Sequence, residues 1–294
     1  MRLSFAISII FTCLLAGSVV AVDTAKATYL SSYSWDNSAP WFGGFSALEI
    51  SADGRNITVL NDRGVILTAR VSRTETNIDD IEITSSARVL SSTGKTLRGL
   101  GADSEGLAIA EDGTVFISFE GIHRIAHYNR SDSTTSVLLH PDAFKKMAIN
   151  GSFEALAIDN QNRLYTMPES GLTAERRIPV YRWNGRRWSQ PFTLPKSGEF
   201  LPVGADIGPD GRLYLLERSA GILGFRTQLR RWDMLGGQPS NGKVLIKTHS
   251  STHDNLEGLS IWRDADEKLR ATMVSDDNFL FIQRTELVEY ALPD

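Results

Sequence analysis

The stretch DSEGLAIAEDGTVFISFEG, residues 103–121, recurs in altered form at four other places along the chain. The other copies are FSALEISADGRNITVLNDRG at 45–64, SFEALAIDNQNRLYTMPESG at 152–171, PVGADIGPDGRLYLLERSAG at 202–221 and NLEGLSIWRDADEKLRATMVSDD at 255–277. Each copy consists of an alternating apolar segment, a polar turn, a second apolar segment and an acidic residue near its end. Repeats of short strands at a spacing of roughly 40–50 residues are typical of a β-propeller.

One position in each copy, usually a leucine, defines the spacing of the units. The intervals between successive copies are 59, 49, 49 and 54 residues. The positions are Leu48, Leu107, Leu156, Ala205 and Leu259. In the second copy, apolar residues 107–110 and 115–119 flank Glu111-Asp112-Gly113, and this Asp-Gly turn predicts an antiparallel hairpin.

Strand-like sequence remains at both ends of the repeated region and bears on the number of blades. Residues 28–33 and 287–292 have strand-like sequences. The ring of a propeller is often closed by pairing the two termini in one blade, which removes the open edges. We therefore expect an all-β propeller that occupies residues 22–294 as a single domain. Six blades are the first expectation and five are the alternative, with the termini closing one blade.

Residues 1–21 have the pattern of a secretory signal peptide. Arg2 precedes an apolar run, and Val19 and Ala21 are small residues placed for cleavage after Ala21. Cleavage would remove Cys13, the only cysteine, and would exclude disulfides and cysteine-bound zinc. We expect a periplasmic or secreted protein that does not associate with a membrane once this segment is removed.

The charge balance and the motif content exclude several classes of function. The chain has 31 basic and 35 acidic residues and a net charge of -4, which does not favour nucleic-acid binding. It contains no Gly-x-Ser-x-Gly elbow, no His-Glu-x-x-His helix and no P-loop.

Acidic residues recur at two positions of the repeat. Two residues before the leucine position lie Glu105, Glu154 and Glu257. At the end of the second strand lie Asp62, Glu120, Glu169, Glu217 and either Asp276 or Asp277. Asp103 and Asp206 are close to the first position in the sequence. A propeller arranges equivalent positions around one channel, so we expect a ring of carboxylates there.

Clustered carboxylates repel one another and need a cation, a proton or another partner. Oxygen ligands without cysteine favour a hard ion, and calcium is the first hypothesis. Alternatively, the carboxylates cap strand ends and bind arginine. Arg63, Arg98 and Arg218 lie beside acidic positions, either as salt-bridge partners or as bidentate ligands of a phosphate.

The segments DSEGLAI, FEALAI and NLEGLSI, each followed by a strand that ends in Glu or Asp, resemble the phytase-like family of exported bacterial proteins. This family is described as having "esterase-like activity of phytase". The resemblance extends over about residues 40–290, and its most specific part is the run from Asp103 to Glu120. It implies a β-propeller and the hydrolysis of phosphate or carboxyl esters.

These observations lead to three functional hypotheses for a monomer whose partner is a small-molecule ester or phosphate ester. The first is a metal-assisted hydrolase, in which an acidic residue takes a proton from the attacking water. Its calcium ligands would be Glu105, Glu154, Glu257, Asp103 and Asp206. Its catalytic carboxylates would be drawn from Glu120, Glu169, Glu217 and Asp62, and its substrate ligands would be Arg63, Arg98 and Arg218. The alternatives are a non-catalytic periplasmic ligand-binding propeller and a calcium-dependent sugar lactonase.

Overall fold

Twenty strands in the computed structural model form five antiparallel sheets of four strands each. The structure describes residues 26–75, 77–130, 133–139, 144 and 151–293, and the predicted signal peptide lies outside these residues. The prediction of an all-β propeller is confirmed. The first expectation of six blades is wrong, and the alternative of five is correct.

The first three blades follow one another along the chain, each with its first strand innermost. Blade 1 comprises β2 (Phe45–Ile50), β3 (Asn56–Asn61), β4 (Val65–Thr74) and β5 (Asn77–Arg88). After a short 3-10 helix (Gly99–Gly101), blade 2 comprises β6 (Ser104–Ile109), β7 (Val115–Phe119), β8 (Arg124–Tyr128) and β9 (Thr135–Val137). Blade 3 comprises β10 (Ala155–Ile158), β11 (Leu164–Met167), β12 (Arg177–Trp183) and β13 (Trp188–Pro195).

The last blade unites the two ends of the chain. Blade 4 comprises β14 (Leu201–Ile207), β15 (Leu213–Gly221), β16 (Gly224–Leu235) and β17 (Gln238–Lys247). Blade 5 comprises β18 (Leu256–Arg263), β19 (Leu269–Ser275), β20 (Glu286–Ala291) and, outermost, β1 (Thr28–Ser34). The fifth repeat supplies only two strands, so the two terminal strands complete its sheet and do not build a sixth.

The hairpin chemistry read from the sequence explains the turn between the two inner strands. In blade 2, Gly113 has φ = +85°, a conformation that favours glycine. The Asp112 carboxylate accepts a hydrogen bond of 2.9 Å from the Thr114 N–H and so fixes the turn. The two strands that flank this turn therefore run antiparallel to each other.

Apolar residues are buried between blades. Leu60 and Ile66 of blade 1 pack with Leu107 and Phe119 of blade 2, and similar clusters fill the other gaps within the described part of the chain. Each sheet thus buries both of its faces. The surfaces that remain open are the channel and the loops at the two ends of the channel. Within the described residues, no helix has the length and apolarity needed to cross a membrane.

Candidate functional site

Three positions of each inner strand line the channel in three layers. The layer at the end where the inner strands begin, here called the mouth, contains Ser46, Glu105, Glu154, Val203 and Glu257. The middle layer contains Leu48, Leu107, Leu156, Ala205 and Leu259. The layer at the opposite end contains Ile50, Ile109, Ile158, Ile207 and Ile261. Between the first two layers the cavity measures only about 10 Å³, so a ligand can bind at either end but cannot pass through.

A β-bulge sets the direction of the mouth carboxylates. The pairing of the first two strands skips one residue between Ser104 and Gly106 in blade 2, and between Leu256 and Gly258 in blade 5. The skipped residues are Glu105 and Glu257. An extra residue in one strand re-aims its side chain, which explains why this repeat position faces the mouth. The structure therefore brings Glu105, Glu154 and Glu257 together, as the repeat predicts.

These three glutamates are buried, and their proximity changes their acidity. Burial, followed by the charges of Glu154 and Glu257, raises the pKa of Glu105 well above its usual value. The same causes, burial and then Glu257, raise the pKa of Glu154. Burial raises the pKa of Glu257 to about 8, although Arg218 opposes this shift. The cluster therefore holds protons or a cation at neutral pH.

A second layer of charged side chains surrounds the first. It consists of residues at the mouth end of the second strands: Arg218 lies within β15, and the others come just after their strands, namely Asp62, Glu120, Glu169 and Asp276. The prediction that Glu217 belongs to this layer is wrong by one residue. In blade 4, Arg218 pairs with Leu201, just as Glu120 lies opposite Asp103 in blade 2. Counting would have revealed this, because Glu120, Glu169 and Arg218 each follow the repeated position by 13 residues.

Glu217 points to the other side of the sheet and takes part in a buried ion pair. Its two carboxylate oxygens accept hydrogen bonds of 2.6 Å from Nε and Nη2 of Arg230, and Gln228 donates a third bond at 2.9 Å. A shift of one residue along a strand exchanges the two faces of the sheet. Glu217 therefore stabilises blade 4 and does not reach the mouth.

Arg218 occupies one half of the mouth and neutralises the carboxylates there. It donates to Glu257 Oε1, to Asn255 Oδ1 at 2.7 Å and to Glu169 Oε1 at 3.1 Å. Burial lowers the pKa of Arg218, but the charges of Glu257, Glu154 and Glu169 outweigh burial and hold it above its usual value. This half of the mouth is an ion-pair network, as the salt-bridge alternative anticipates.

The other half of the mouth contains a cluster of three carboxylates that fits a metal ion. Asp103, Glu105 and Glu120 each offer an oxygen, and the three oxygens lie within 4.8 Å of one another. The backbone N–H groups of Gly151 and Ser152 donate to Glu120 Oε1 and hold that side chain in place. The nearby Arg124 donates instead to the carbonyl oxygens of Ile122 and Gly101, at 3.0 and 2.5 Å.

An arginine-lined cavity of about 600 Å³ adjoins this cluster of three carboxylates. Arg63, Arg88 and Arg98 line it, together with Asp62 and Asp103. The sequence therefore identified two of its three arginines, and it missed Arg88, which lies outside the repeated segment. Burial, followed by the charge of Asp276, raises the pKa of Asp62 to about 7, and its buried Oδ1 has no hydrogen-bond partner among the described residues.

Asp206 lies at the opposite end of the channel. Its carboxylate accepts a 2.6 Å hydrogen bond from the Ile261 N–H of the next blade. It lines a cavity of about 950 Å³ with Glu49, a half-buried acid that the sequence analysis overlooked. Glu49 occupies the same repeat position, one residue after Leu48, and this shared position was the available signal. The structure thus separates Asp206 from the other proposed metal ligands.

The profile of the phytase-like family, described as "Esterase-like activity of phytase", matches residues 40–279. This match covers most of the chain, and the protein belongs to this family.

Two solved structures have similar folds. The catalytic domain of a GH62 alpha-L-arabinofuranosidase from Coprinopsis cinerea aligns with a TM-score of 0.54 at 11% identity, over 92% of this chain and 97% of that one. The PQQ-bound aldose sugar dehydrogenase from Streptomyces coelicolor aligns with a TM-score of 0.48 at 12% identity, over 92% of this chain and 99% of that one. At such identities a likeness concerns the fold alone. A comparison with curated proteins finds no match.

Proposed function

We propose that this protein is a cation-dependent hydrolase of phosphate or carboxyl esters that acts at the mouth. The observation that carries the proposal is the group formed by Asp103, Glu105 and Glu120 beside a cavity lined by arginines. The family, described by esterase-like activity, agrees with this chemistry.

The difference in charge between the two halves of the mouth supports a cation site. In one half, Arg218 neutralises Glu169 and Glu257. In the other half, Glu105 is buried and its pKa is raised well above the usual value, first by burial and then by the neighbouring carboxylates. A hard cation on the three oxygens would offset this repulsion, and an all-oxygen set of ligands suits calcium.

Different side chains around the site would have different roles in hydrolysis. A cation on Asp103, Glu105 and Glu120 would supply Lewis-acid polarisation of the ester. Arg63 and Arg98 bind the phosphate or carboxyl group in the adjoining cavity. Asp62, at the rim of that cavity with a pKa of about 7, accepts the proton of the attacking water near neutral pH.

Calcium titration of the folded protein tests the cation site. If calcium binds only the folded state, a hundredfold excess over the dissociation constant should stabilise the protein by about 2.7 kcal/mol, and EDTA should reverse the effect. Glu120→Gln should weaken calcium affinity and ester turnover together. Glu111→Gln is the matched control, because Glu111 is an exposed carboxylate at the opposite end of blade 2. An unchanged melting temperature with full turnover in EDTA would refute the proposal.

A substrate panel separates hydrolysis from the alternatives. Turnover of p-nitrophenyl phosphate or p-nitrophenyl acetate would support the hydrolase. Selective turnover of sugar lactones would favour the lactonase. Calcium binding without turnover of any of these compounds would favour a ligand-binding propeller, in which the acids and Arg218 hold a bound molecule.

A further inference from the structure

Five of the described loops present large apolar side chains to solvent. Four of them carry Leu100, Ile122, residues 222–223 and residues 280–282, and together we call these four the apolar tips; the fifth carries Leu139. Ile222 and Phe281 are fully exposed. Single exposed apolar residues are normal on protein surfaces, whereas groups of them mark sites of interaction.

All of the apolar tips lie on the face of the propeller that contains the mouth. The second and fourth strands of each blade run toward this face, and the loops that leave them carry these residues. Within the described residues, every exposed large apolar side chain outside a strand is on this face. Leu235, at the far end of β16, is an exposed apolar residue on the opposite face.

The first two tips along the arc are connected by the segment that precedes blade 5. Ser251 Oγ donates to the carbonyl oxygen of Leu223. Asp254 then accepts hydrogen bonds from Gln283 Nε2 at 3.1 Å and from the Arg284 N–H at 3.0 Å. Residues 222–223 and 280–282 therefore belong to one surface.

The remaining tips continue the same surface across the arginine cavity. The guanidinium of Arg63 lies 3.3 Å from the ring centroid of Phe279, next to residues 280–282. Arg63 and Arg98 line one cavity, which leads to Leu100. Arg124 connects the Ile122 loop to the Gly101 carbonyl. The four tips thus form a continuous arc around the arginine cavity.

The basic and the acidic side chains on this arc differ in their exposure to solvent. The arc comprises residues 62–64, 88–103, 120–124, 219–226, 249–254 and 276–286. Its exposed Lys, Arg, Asp and Glu side chains are all basic, namely Arg63, Arg88, Lys95, Arg98 and Arg284, whereas the adjoining segment 35–44 contributes one exposed acid, Asp36. Its acidic side chains are buried or half-buried, namely Asp62, Asp103, Glu120, Asp254, Asp276, Asp277 and Glu286. The exposed charged groups on and beside this arc are thus mostly basic, which favours contact with an anionic surface.

We propose that the apolar tips dock the protein on a phospholipid bilayer that carries anionic headgroups. The tips enter the interfacial region, and the exposed Arg88, Lys95 and Arg284 between them bind lipid phosphates. Apolar tips with exposed basic side chains between them complement an anionic bilayer in both polarity and charge. The sequence predicts no membrane association for the mature chain, but peripheral docking needs only these short segments and no spanning helix.

Vesicle co-sedimentation tests this docking without any measurement of turnover. The probes are vesicles made of equal parts of phosphatidylcholine and phosphatidylglycerol, and vesicles of phosphatidylcholine alone. The protein should bind the anionic vesicles more strongly, and binding should weaken with added salt. The combined change of Leu280, Phe281 and Ile282 to Ser should lower the partition coefficient on the order of a hundredfold. Lys95→Gln should lower it for anionic vesicles only.

Leu235→Ser is the matched control, because it removes an exposed leucine from the opposite face, and it should leave binding unchanged. Circular dichroism and the melting temperature establish that each variant is folded. No binding of the wild-type protein to either vesicle would overturn the proposal. Equal loss in the tip variant and the Leu235 variant would also overturn it. So would self-association of the wild-type protein without vesicles that the tip substitutions abolish, since the tips would then join copies of the chain.

Discussion

Glu217 and Arg218 are neighbours in the sequence, but they face opposite sides of blade 4. Arg218 lies among the mouth carboxylates, and Glu217 is fully buried against Arg230. A buried ion pair need not add net stability, but removal of one partner leaves an uncompensated buried charge. The two residues should therefore respond differently to substitution.

We expect Glu217→Ala to destabilise the fold by about 3–5 kcal/mol, because Arg230 would lose its bidentate partner in a buried site. Urea unfolding measures this effect. Glu111→Ala removes an exposed carboxylate and should change the free energy of unfolding by less than about 0.5 kcal/mol. Equal effects of the two substitutions would show that the Glu217–Arg230 pair has no structural importance.

Asp206 gives the fold a pH dependence that is separate from the mouth. Burial raises its pKa to about 7, whereas an unfolded chain has an aspartate pKa of about 3.9. Between these values the folded state binds more protons, so the free energy of unfolding falls as pH rises from about 4 through about 7.

Asp206→Asn should make this dependence less steep, because asparagine keeps an acceptor for the Ile261 N–H but does not titrate, while the mouth carboxylates with raised pKa values still do. At pH above about 7 the variant should be more stable than the wild-type protein by roughly 2–4 kcal/mol. Denaturant unfolding across this pH range measures the change, with Glu111→Gln as the control. A wild-type slope retained in the Asp206 variant would assign the dependence to other groups.

At the scale of the element, the inner strands approach one another too closely for most side chains. A Cβ added to Gly204 in β14 would lie 2.3 Å from the carbonyl oxygen of Glu257 in β18. Gly106 meets a similar limit, since its added Cβ would lie 2.6 Å from the Leu156 Cβ. These glycines immediately follow the bulge that aims the mouth residues, so packing of the ring and geometry of the site depend on the same segment.

Gly204→Ala should therefore destabilise the protein by about 1–3 kcal/mol, because the inner strands must separate to accept the methyl group. Since Glu257 adjoins the contact and its charge acts on Glu105, one of the proposed calcium ligands, the rearrangement should also alter calcium affinity. Gly101→Ala is the control, because its added Cβ meets nothing within 4 Å. Thermal unfolding and calcium titration of both variants measure the two effects, and a Gly204 variant as stable as the control would contradict the argument.

At the scale of the whole molecule, β1 closes the ring. Its six register pairs with β20 run from Thr28 opposite Ala291 to Ser34 opposite Glu286, and the Ala27 N–H also bonds to the Leu245 carbonyl of blade 4. Without β1, the polar backbone groups of β20 would form an open edge.

A chain that begins at Trp35 should lose roughly 3–6 kcal/mol of stability if each register pair contributes about one net hydrogen bond. It should also aggregate through the exposed edge of β20. A chain that begins at Lys26 keeps β1 and is the matched control. Calorimetry and light scattering measure stability and aggregation, and identical behaviour of the two chains would show that β1 is dispensable for closure.

The sequence revealed most of the strands and the part of the mouth formed by Glu105, Glu154 and Glu257. It did so because these features recur at fixed positions, and equivalent positions of a ring face the same axis. The position of Glu217 was misassigned by one residue, although the spacing of 13 residues shared by Glu120, Glu169 and Arg218 indicates the correct one. The arginine cavity was only partly visible, because Arg88 comes from a segment outside the repeat.

The sequence by itself determined the propeller, the hairpin turns and the acidic character of the mouth, because alternation and turn chemistry are local and the repeat multiplies them. Only the tertiary structure decided that there are five blades, that Asp206 lies at the far end and that the apolar tips join into one arc. These features depend on closure of the ring and on contacts between residues far apart in the chain. Their energies arise from packing and charge between blades, which no local pattern contains.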